Sequence, residues 1–175
     1  MGAHLSIAVS PYPGIHTIAS GSLPAGANYL DITNIPETYA YLILKVTGAV
    51  CATATRALLV RASVDNGSSF DATAANYVGH KITGTTWTNY TSNAFASLID
   101  SVTQTTLQLT SFTLNIHGYQ GGPNARADAR VISATVEYQN WCTYIGSTSN
   151  IDALRIIWNG TGNFSSGTYV LYGVA

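Results

Sequence analysis

The sequence predicts an all-β protein, an antiparallel, jelly-roll-like β-sandwich of eight or nine strands with an extended N-terminal arm. Apolar residues alternate with polar ones over short segments, which is the pattern of half-buried strands. Short motifs that contain Gly or Asn, which favour turns, separate these segments. Thr and Tyr, which favour strands, number 22 and 11 in a chain of 175 residues. This length suits a single domain with its own core, which we place at residues 15–175.

The N-terminal segment, residues 1–14, differs from the rest of the chain. It contains Pro11 and Pro13, shows little alternation and has no Asp, Glu, Lys or Arg. Two interpretations stay open: a frayed terminus, or an extended arm that docks on a neighbouring subunit. Weak strands are predicted after it, at Ile15–Ser20 and Asn28–Thr33.

The clearest strand is Tyr39–Val46. Leu42 and Leu44 face one way, and the residues between them are also largely apolar, so we expect a central strand. Arg56–Ser63 alternates in the same way and forms the next strand. Asp65-Asn66-Gly67 then matches a type I′ hairpin turn, because Asn-Gly readily adopts positive φ.

The middle of the chain gives a less regular pattern. Asn76–Ile82 is a weak strand, and Asn93–Asp100 fits either one helical turn or a strand. In Thr105–His117 the apolar positions change from odd to even numbers. This change predicts a bulge or bend near Thr110–Ser111, because a strand cannot otherwise move its side chains to the other face. Arg130–Tyr138 is predicted as one strand.

Two strands end the chain, at Ile151–Trp158 and Thr168–Val174. The turn between them has glycines on either side of Phe164, and glycine can adopt positive φ there. We predict that Phe164 tucks beneath this turn, and that Phe164 and Leu171 are buried.

The composition is unusual because only 9% of residues are charged, against a typical value of about 25%. The formal net charge is −1, which excludes the basic surface that nucleic acids and anionic membranes require. No apolar run approaches the roughly 20 residues of a membrane span, and the first residues lack the basic region of a secretory signal. Because charge repulsion keeps free proteins apart, we expect this surface to contact other subunits.

The sequence has no recognisable catalytic or metal-binding pattern, so we expect neither an enzyme nor a cofactor. The four histidines have no zinc-ligand spacing, and no Gly-x-Ser-x-Gly motif is present. Glu137 is interpreted as a solvated or ion-paired strand residue rather than as a glycosidase carboxylate. For Cys51 and Cys142 we favour two separate buried thiols, with a disulfide as the alternative.

Three aromatic residues, Trp87, Tyr90 and Tyr119, are the best candidates for ligand or subunit contacts. They lie in or beside Gly- and Thr-rich segments. Flat rings can stack on sugars while Asn and Thr hydrogen-bond sugar hydroxyls, which would suit a glycan-binding module. Tyr and Trp also fill cores and subunit interfaces, and we favour this second role.

The C-terminal part resembles the ending of many tailed-bacteriophage virion proteins: a strand, a Gly-x-Phe-x-x-Gly turn and a last strand reading Leu-Tyr-Gly-aliphatic. The matching segments are Ile151–Trp158, Gly162–Gly167 and Leu171–Val174. Upstream, Leu30–Leu44 is similar to their "strand, Ile-Pro-x-Thr-Tyr, strand" opening, and Leu58–Ser69 is similar to their unit of an aliphatic strand and an Asn-Gly turn. The resemblance covers most of the chain from Gly21 to Ala175 in order.

The resemblance implies a β-sandwich protein of the phage particle, used in capsid decoration, head fibres or tail fibres, and it implies no catalytic residue. We therefore expect a capsid decoration or cement protein that binds neighbouring subunits in the virion and stabilises the shell. Its partners would be the major capsid or other virion proteins and copies of itself, with a closed trimer favoured. The alternative is a glycan- or receptor-binding module of a head or tail fibre, with a host glycan as ligand.

Overall fold

The computed structural model describes residues 14–53, 57–73, 75–83, 85–92, 94, 96–97, 109–122, 124–133 and 137–175. These ranges contain twelve β-strands and no helix. In chain order the strands are β1 (Ile15–Ser22), β2 (Tyr29–Ile32), β3 (Tyr41–Cys51), β4 (Leu58–Ser63), β5 (Tyr77–Thr83), β6 (Thr86–Ser92), β7 (Ala96–Ser97), β8 (Thr110–His117), β9 (Ala125–Ser133), β10 (Glu137–Tyr144), β11 (Ala153–Trp158) and β12 (Phe164–Val174). The predicted N-terminal arm, apart from Gly14, lies outside the described residues.

The strands form two antiparallel sheets, so the predicted all-β, antiparallel β-sandwich is confirmed. The larger sheet has the order β1-β12-β3-β8-β9-β10-β5-β6, and the smaller one has the order β2-β11-β4-β7. Eight strands follow the jelly-roll pattern, with β1-β12-β3-β8 in one sheet and β2-β11-β4-β7 in the other. Along the described strands the chain changes sheet at every connection except β5–β6, β8–β9 and β9–β10.

Two inserted hairpins extend the larger sheet beyond this jelly roll. β5 and β6 are inserted between β4 and β7, and β9 and β10 between β8 and β11. The hairpins join edge to edge, because β10 pairs with β5. The extension therefore adds four strands to the β8 side of the sheet.

The predicted number of eight or nine strands was too low because these hairpins have weak sequence patterns. Arg130–Tyr138, predicted as one strand, contains the end of β9 and the start of β10, which run antiparallel to each other. The sequence of β6 is Thr-Trp-Thr-Asn-Tyr-Thr-Ser, which has no aliphatic residue to mark a buried face.

The core lies between the two sheets. In the larger sheet β3 lies between β12 and β8, which confirms its predicted central position. Trp158 of β11 packs on Phe164 of β12, with ring centroids 5.7 Å apart. Both rings are buried, as is Leu171, so the burial predicted for Phe164 and Leu171 is confirmed. Four side chains of β3 are fully buried in this core: Leu42, Leu44, Val46 and Ala49.

The bulge or bend predicted at Thr110–Ser111 is absent from β8, which alternates regularly from its first residue, Thr110, so this prediction is wrong. The extra residue lies instead in the partner strand β3, near Gly48, which has a φ of 63°. Within Asn93–Asp100, Ala96–Ser97 forms β7, and the rest apart from Ala94 lies outside the described residues.

The Asn-Gly turn has the predicted conformation but does not close a hairpin. Asn66 and Gly67 have φ values of 54° and 84°, and the N–H of Ser68 donates to the carbonyl of Asp65 over 3.2 Å. Hydrogen bonds from Ser69 to the carboxylate hold the pKa of Asp65 at about 2. The turn connects β4 with β5, which belong to different sheets, so it redirects the chain instead of joining two paired strands.

The two cysteines are separate thiols, as favoured from the sequence. Cys51 ends β3 and Cys142 lies in β10, and both side chains are buried. The two thiols do not form a disulfide with each other, so the disulfide alternative is wrong.

Replacing Phe164 by Ala should lower the free energy of unfolding by about 3–5 kcal/mol, because it leaves a cavity beside Trp158. Denaturant unfolding measures this loss. Thr168→Ala, an exposed position in the same strand, is the matched control and should change stability by less than about 0.5 kcal/mol. Equal effects of the two substitutions would contradict the packing described above.

Candidate functional site

The outer face of the eight-stranded sheet, turned away from the four-stranded sheet, carries the exposed side chains that could bind a ligand or partner. Residues directly opposite each other in an antiparallel pair project from the same face. The register therefore assigns each outward side chain, and it divides this face into three zones along the strand order.

The first zone is an aromatic patch on β10, β5 and β6, defined by Val78, His80, Trp87, Asn89 and Trp141. The register places Trp141, His80 and Asn89 in one row across the three strands. Trp87 lies in the next row, opposite Ile82. Each member of the patch is exposed, Trp87 by 59% and Trp141 by 38%.

The rings of this patch contact one another across the strands. Trp87 and Trp141 stack with centroids 5.8 Å apart and planes 20° apart, although a whole strand separates them. The His80 ring lies 5.3 Å from Trp87 at a tilt of 37°. The Nδ1 of His80 is 2.7 Å from the Oδ1 of Asn89. Since this oxygen can only accept, the Nδ1 carries a proton, and the Nε2 of the neutral imidazole is an acceptor.

A groove of about 410 Å³ adjoins the patch at Trp141. Val78 and Ile145, both exposed apolar residues, line it together with Thr143 and Arg126. Its size falls within the range of about 300–1,000 Å³ that is typical of small-molecule sites.

The second zone is a charged band on β9 and the start of β10, defined by Arg126, Asp128, Arg130 and Glu137. The Nε of Arg130 is 2.6 Å from the Oε1 of Glu137. This hydrogen bond raises the pKa of Arg130. Glu137 is thus the exposed, ion-paired strand residue that the sequence predicted. Asp128 accepts from the amide of Asn115 over 2.8 Å, so much of the band is already paired within the chain.

The third zone, which we call the tyrosine–aliphatic half, lies on β1, β12 and β3. The structure describes every outward side chain of this half, and Lys45 is the only charged residue among them. Six half-buried side chains define this half: Ile15, Tyr41, Ile43, Val170, Tyr172 and Val174.

The three aromatic candidates from the sequence do not form one site. Trp87 is exposed and belongs to the aromatic patch, as expected of a ligand or interface residue. Tyr90 lies opposite Gly79 in β6, and its side chain is outside the described part of the structure. Tyr119 is fully buried, so it fills the core, as the favoured interpretation allowed, and the ligand-contact alternative is wrong for this residue.

Tyr119 is a core residue because the loop after β8 turns its ring inward. Its hydroxyl donates to the carbonyl of Pro36 over 2.6 Å and accepts from the N–H of Tyr39 over 3.1 Å. Burial raises the pKa of Tyr119. Tyr119 thus holds the Ile-Pro-Glu-Thr-Tyr segment in place and cannot contact a ligand from outside.

Sequence reasoning missed Trp141 and His80, which complete the patch. Trp141 alternates with buried Asn140 and Cys142, a period-two pattern that could have marked it as outward-facing. No sequence pattern, however, indicates that β10 pairs with β5 and so brings Trp141 beside His80.

Other polar clusters of the described residues serve the fold. Arg155 forms a double hydrogen bond with Asp31, at 2.6 and 2.8 Å, between the rings of Tyr29 and Phe70. This carboxylate raises the pKa of Arg155. Within the described ranges no group of three or more His, Cys, Asp or Glu residues is placed to hold a metal ion. Nor do those ranges contain a helix of the length and apolarity needed to cross a membrane.

Comparison with known proteins gives no relative: no protein-family model matches the chain, and no curated protein matches its sequence.

Tyr119→Phe should lower the free energy of unfolding by about 1–3 kcal/mol, because the Pro36 carbonyl and the Tyr39 N–H lose their partner. Urea unfolding measures the change. Tyr29→Phe, which removes a hydroxyl from an exposed ring, is the control and should have little effect. A Tyr119→Phe protein as stable as the parent would contradict the role of this hydroxyl.

Proposed function

We propose that the protein is a structural component of a bacteriophage particle, a capsid decoration or cement protein that binds neighbouring subunits and stabilises the shell. The tyrosine–aliphatic half carries this proposal. It is a broad, nearly uncharged surface on strands of the jelly roll, and the resemblance of the C-terminal segments to virion proteins agrees with it.

The chemistry of the tyrosine–aliphatic half suits burial against another protein. Interface centres are depleted in charge and enriched in Tyr, because a Tyr ring offers apolar area together with a hydroxyl for hydrogen bonding. Tyr172 and Tyr41 supply such rings, and Ile43 lies between them in the register, next to both. Association through this half in a closed oligomer, for which we favour a trimer, leaves other surfaces for the major capsid protein.

A second candidate function, a glycan- or receptor-binding module, is favoured by one specific observation. The aromatic patch lies on the inserted hairpins, apart from the tyrosine–aliphatic half, with the charged band and β8 between them. The two proposals therefore use different parts of the same face.

The purified chain should self-associate, and raising the salt concentration from about 0.05 to 0.5 M should weaken the association little, because few charge pairs hold it. Tyr172→Lys places a charge in the tyrosine–aliphatic half and should weaken association by about tenfold or more. Sedimentation equilibrium measures both effects, and circular dichroism checks that each variant is folded.

Two controls locate the effect on the surface. Thr168→Lys, at an exposed position of the same strand and face, should also weaken association. Gln139→Lys, on β10 outside the tyrosine–aliphatic half, should not. A parent protein that stays monomeric and does not bind phage shells would overturn the proposal.

A further inference from the structure

We infer that the aromatic patch is a binding site for an uncharged oligosaccharide, with the exposed ring of Trp87 as its stacking platform. This inference rests on the second proposed function and names its ligand class and residues.

The geometry of Trp87 fits a sugar ring better than it fits a core or structural role. A pyranose has C–H groups on its faces and hydroxyls around its edge, so it needs a flat apolar platform bordered by hydrogen-bonding groups. Among the Phe, Tyr and Trp side chains that the structure describes, Trp87 is the most exposed, yet Trp141 and His80 hold its ring from two sides. A ring fixed in this way loses little conformational entropy when a ligand stacks on it.

Polar groups of suitable chemistry border this platform. The Asn89 oxygen is engaged by the Nδ1 of His80, so the amide N–H groups of Asn89 are donors and the Nε2 of His80 is an acceptor for sugar hydroxyls. Gln139 projects from the same face, two residues from Trp141 on β10, and is exposed. Sites for small ligands combine a few such polar groups with apolar and aromatic walls.

The charge distribution favours a neutral ligand. The five residues of the aromatic patch include no carboxylate, Lys or Arg. In the neighbouring charged band, Arg130 is paired with Glu137, and Asp128 is hydrogen-bonded by Asn115. An acidic sugar would have Arg126 as its nearest cation in the groove, and a test of Arg126 distinguishes that case.

The groove beyond Trp141 favours an oligosaccharide over a single sugar. It continues from Trp141 past Val78 to Ile145, with Thr143 and Asn124 as further polar lining. A chain of sugars could thus stack on Trp87 at one position and occupy the groove at the next.

A printed array of neutral and sialylated oligosaccharides tests the ligand class with the full chain. Maltoheptaose, cellohexaose and sialyllactose are then titrated, with binding followed by calorimetry. We expect neutral glycans to bind and Trp87→Ala and Trp141→Ala to weaken binding by about tenfold or more. Trp87→Phe keeps a flat ring and should retain part of the affinity. Tyr29→Ala, an exposed ring on the other sheet, is the matched control and should bind like the parent.

Three results of the glycan-binding measurements would overturn the inference. They are the absence of binding to any neutral glycan on the array, neutral-glycan binding that Trp87→Ala leaves unchanged, and binding confined to sialylated glycans that Arg126→Gln abolishes. Self-association is measured in parallel to separate the two proposals. Trp87→Ala should leave self-association intact, and Tyr172→Lys should still bind glycan. If Trp87→Ala disrupts association instead, the patch is a protein interface and the inference is wrong.

Discussion

The pairing between β5 and β10 is the interaction on which the extension of the larger sheet and its aromatic patch depend. Seven residue pairs join two hairpins that leave the jelly roll at different connections. Gly79 makes this close approach feasible, because a Cβ at that position would lie 1.9 Å from the carbonyl oxygen of Trp141. On the inner side, the rings of Tyr77 and Tyr144 lie 4.8 Å apart within the core cluster. The same ladder that widens the sheet therefore also brings Trp141 beside His80 and Trp87.

The low charge of the chain can be understood from the outer face of the eight-stranded sheet. Several of the few charged residues are paired with each other: Arg130 with Glu137, and Arg155 with Asp31. The exposed pair Arg130–Glu137 contributes little to stability. The position of the charged band on the larger sheet matters more, because the band separates the nearly uncharged half from the aromatic patch. The composition alone predicted contact with neighbours, and the structure identifies two distinct surfaces where contact could occur.

Local patterns predicted most of the jelly roll, whereas the inserted hairpins depended on contacts that no local pattern records. The buried positions of Tyr39–Val46 alternate because β3 has one face in the core, and its central position followed from the largely apolar residues on both faces. By contrast, Gly79 and Cys142 pair across a long stretch of sequence, so the neighbours of Trp141 could not be inferred. Tyr119 shows the opposite error, because its local sequence suggested an exposed ring that the fold buries. A ring in a Gly-rich loop looked available, but its hydroxyl satisfies two backbone groups, which draws it inside.

Amide hydrogen exchange of the parent and of Gly79→Ala is the most direct test of this account. The parent should exchange slowly in both β5 and β10. The added methyl group should break the ladder between them, so that β5, β6 and β10 exchange rapidly while β3 and β12 of the jelly roll stay protected. Unchanged protection of β5 and β10 in Gly79→Ala, or equal loss of protection throughout the chain, would contradict a jelly roll extended by two joined hairpins.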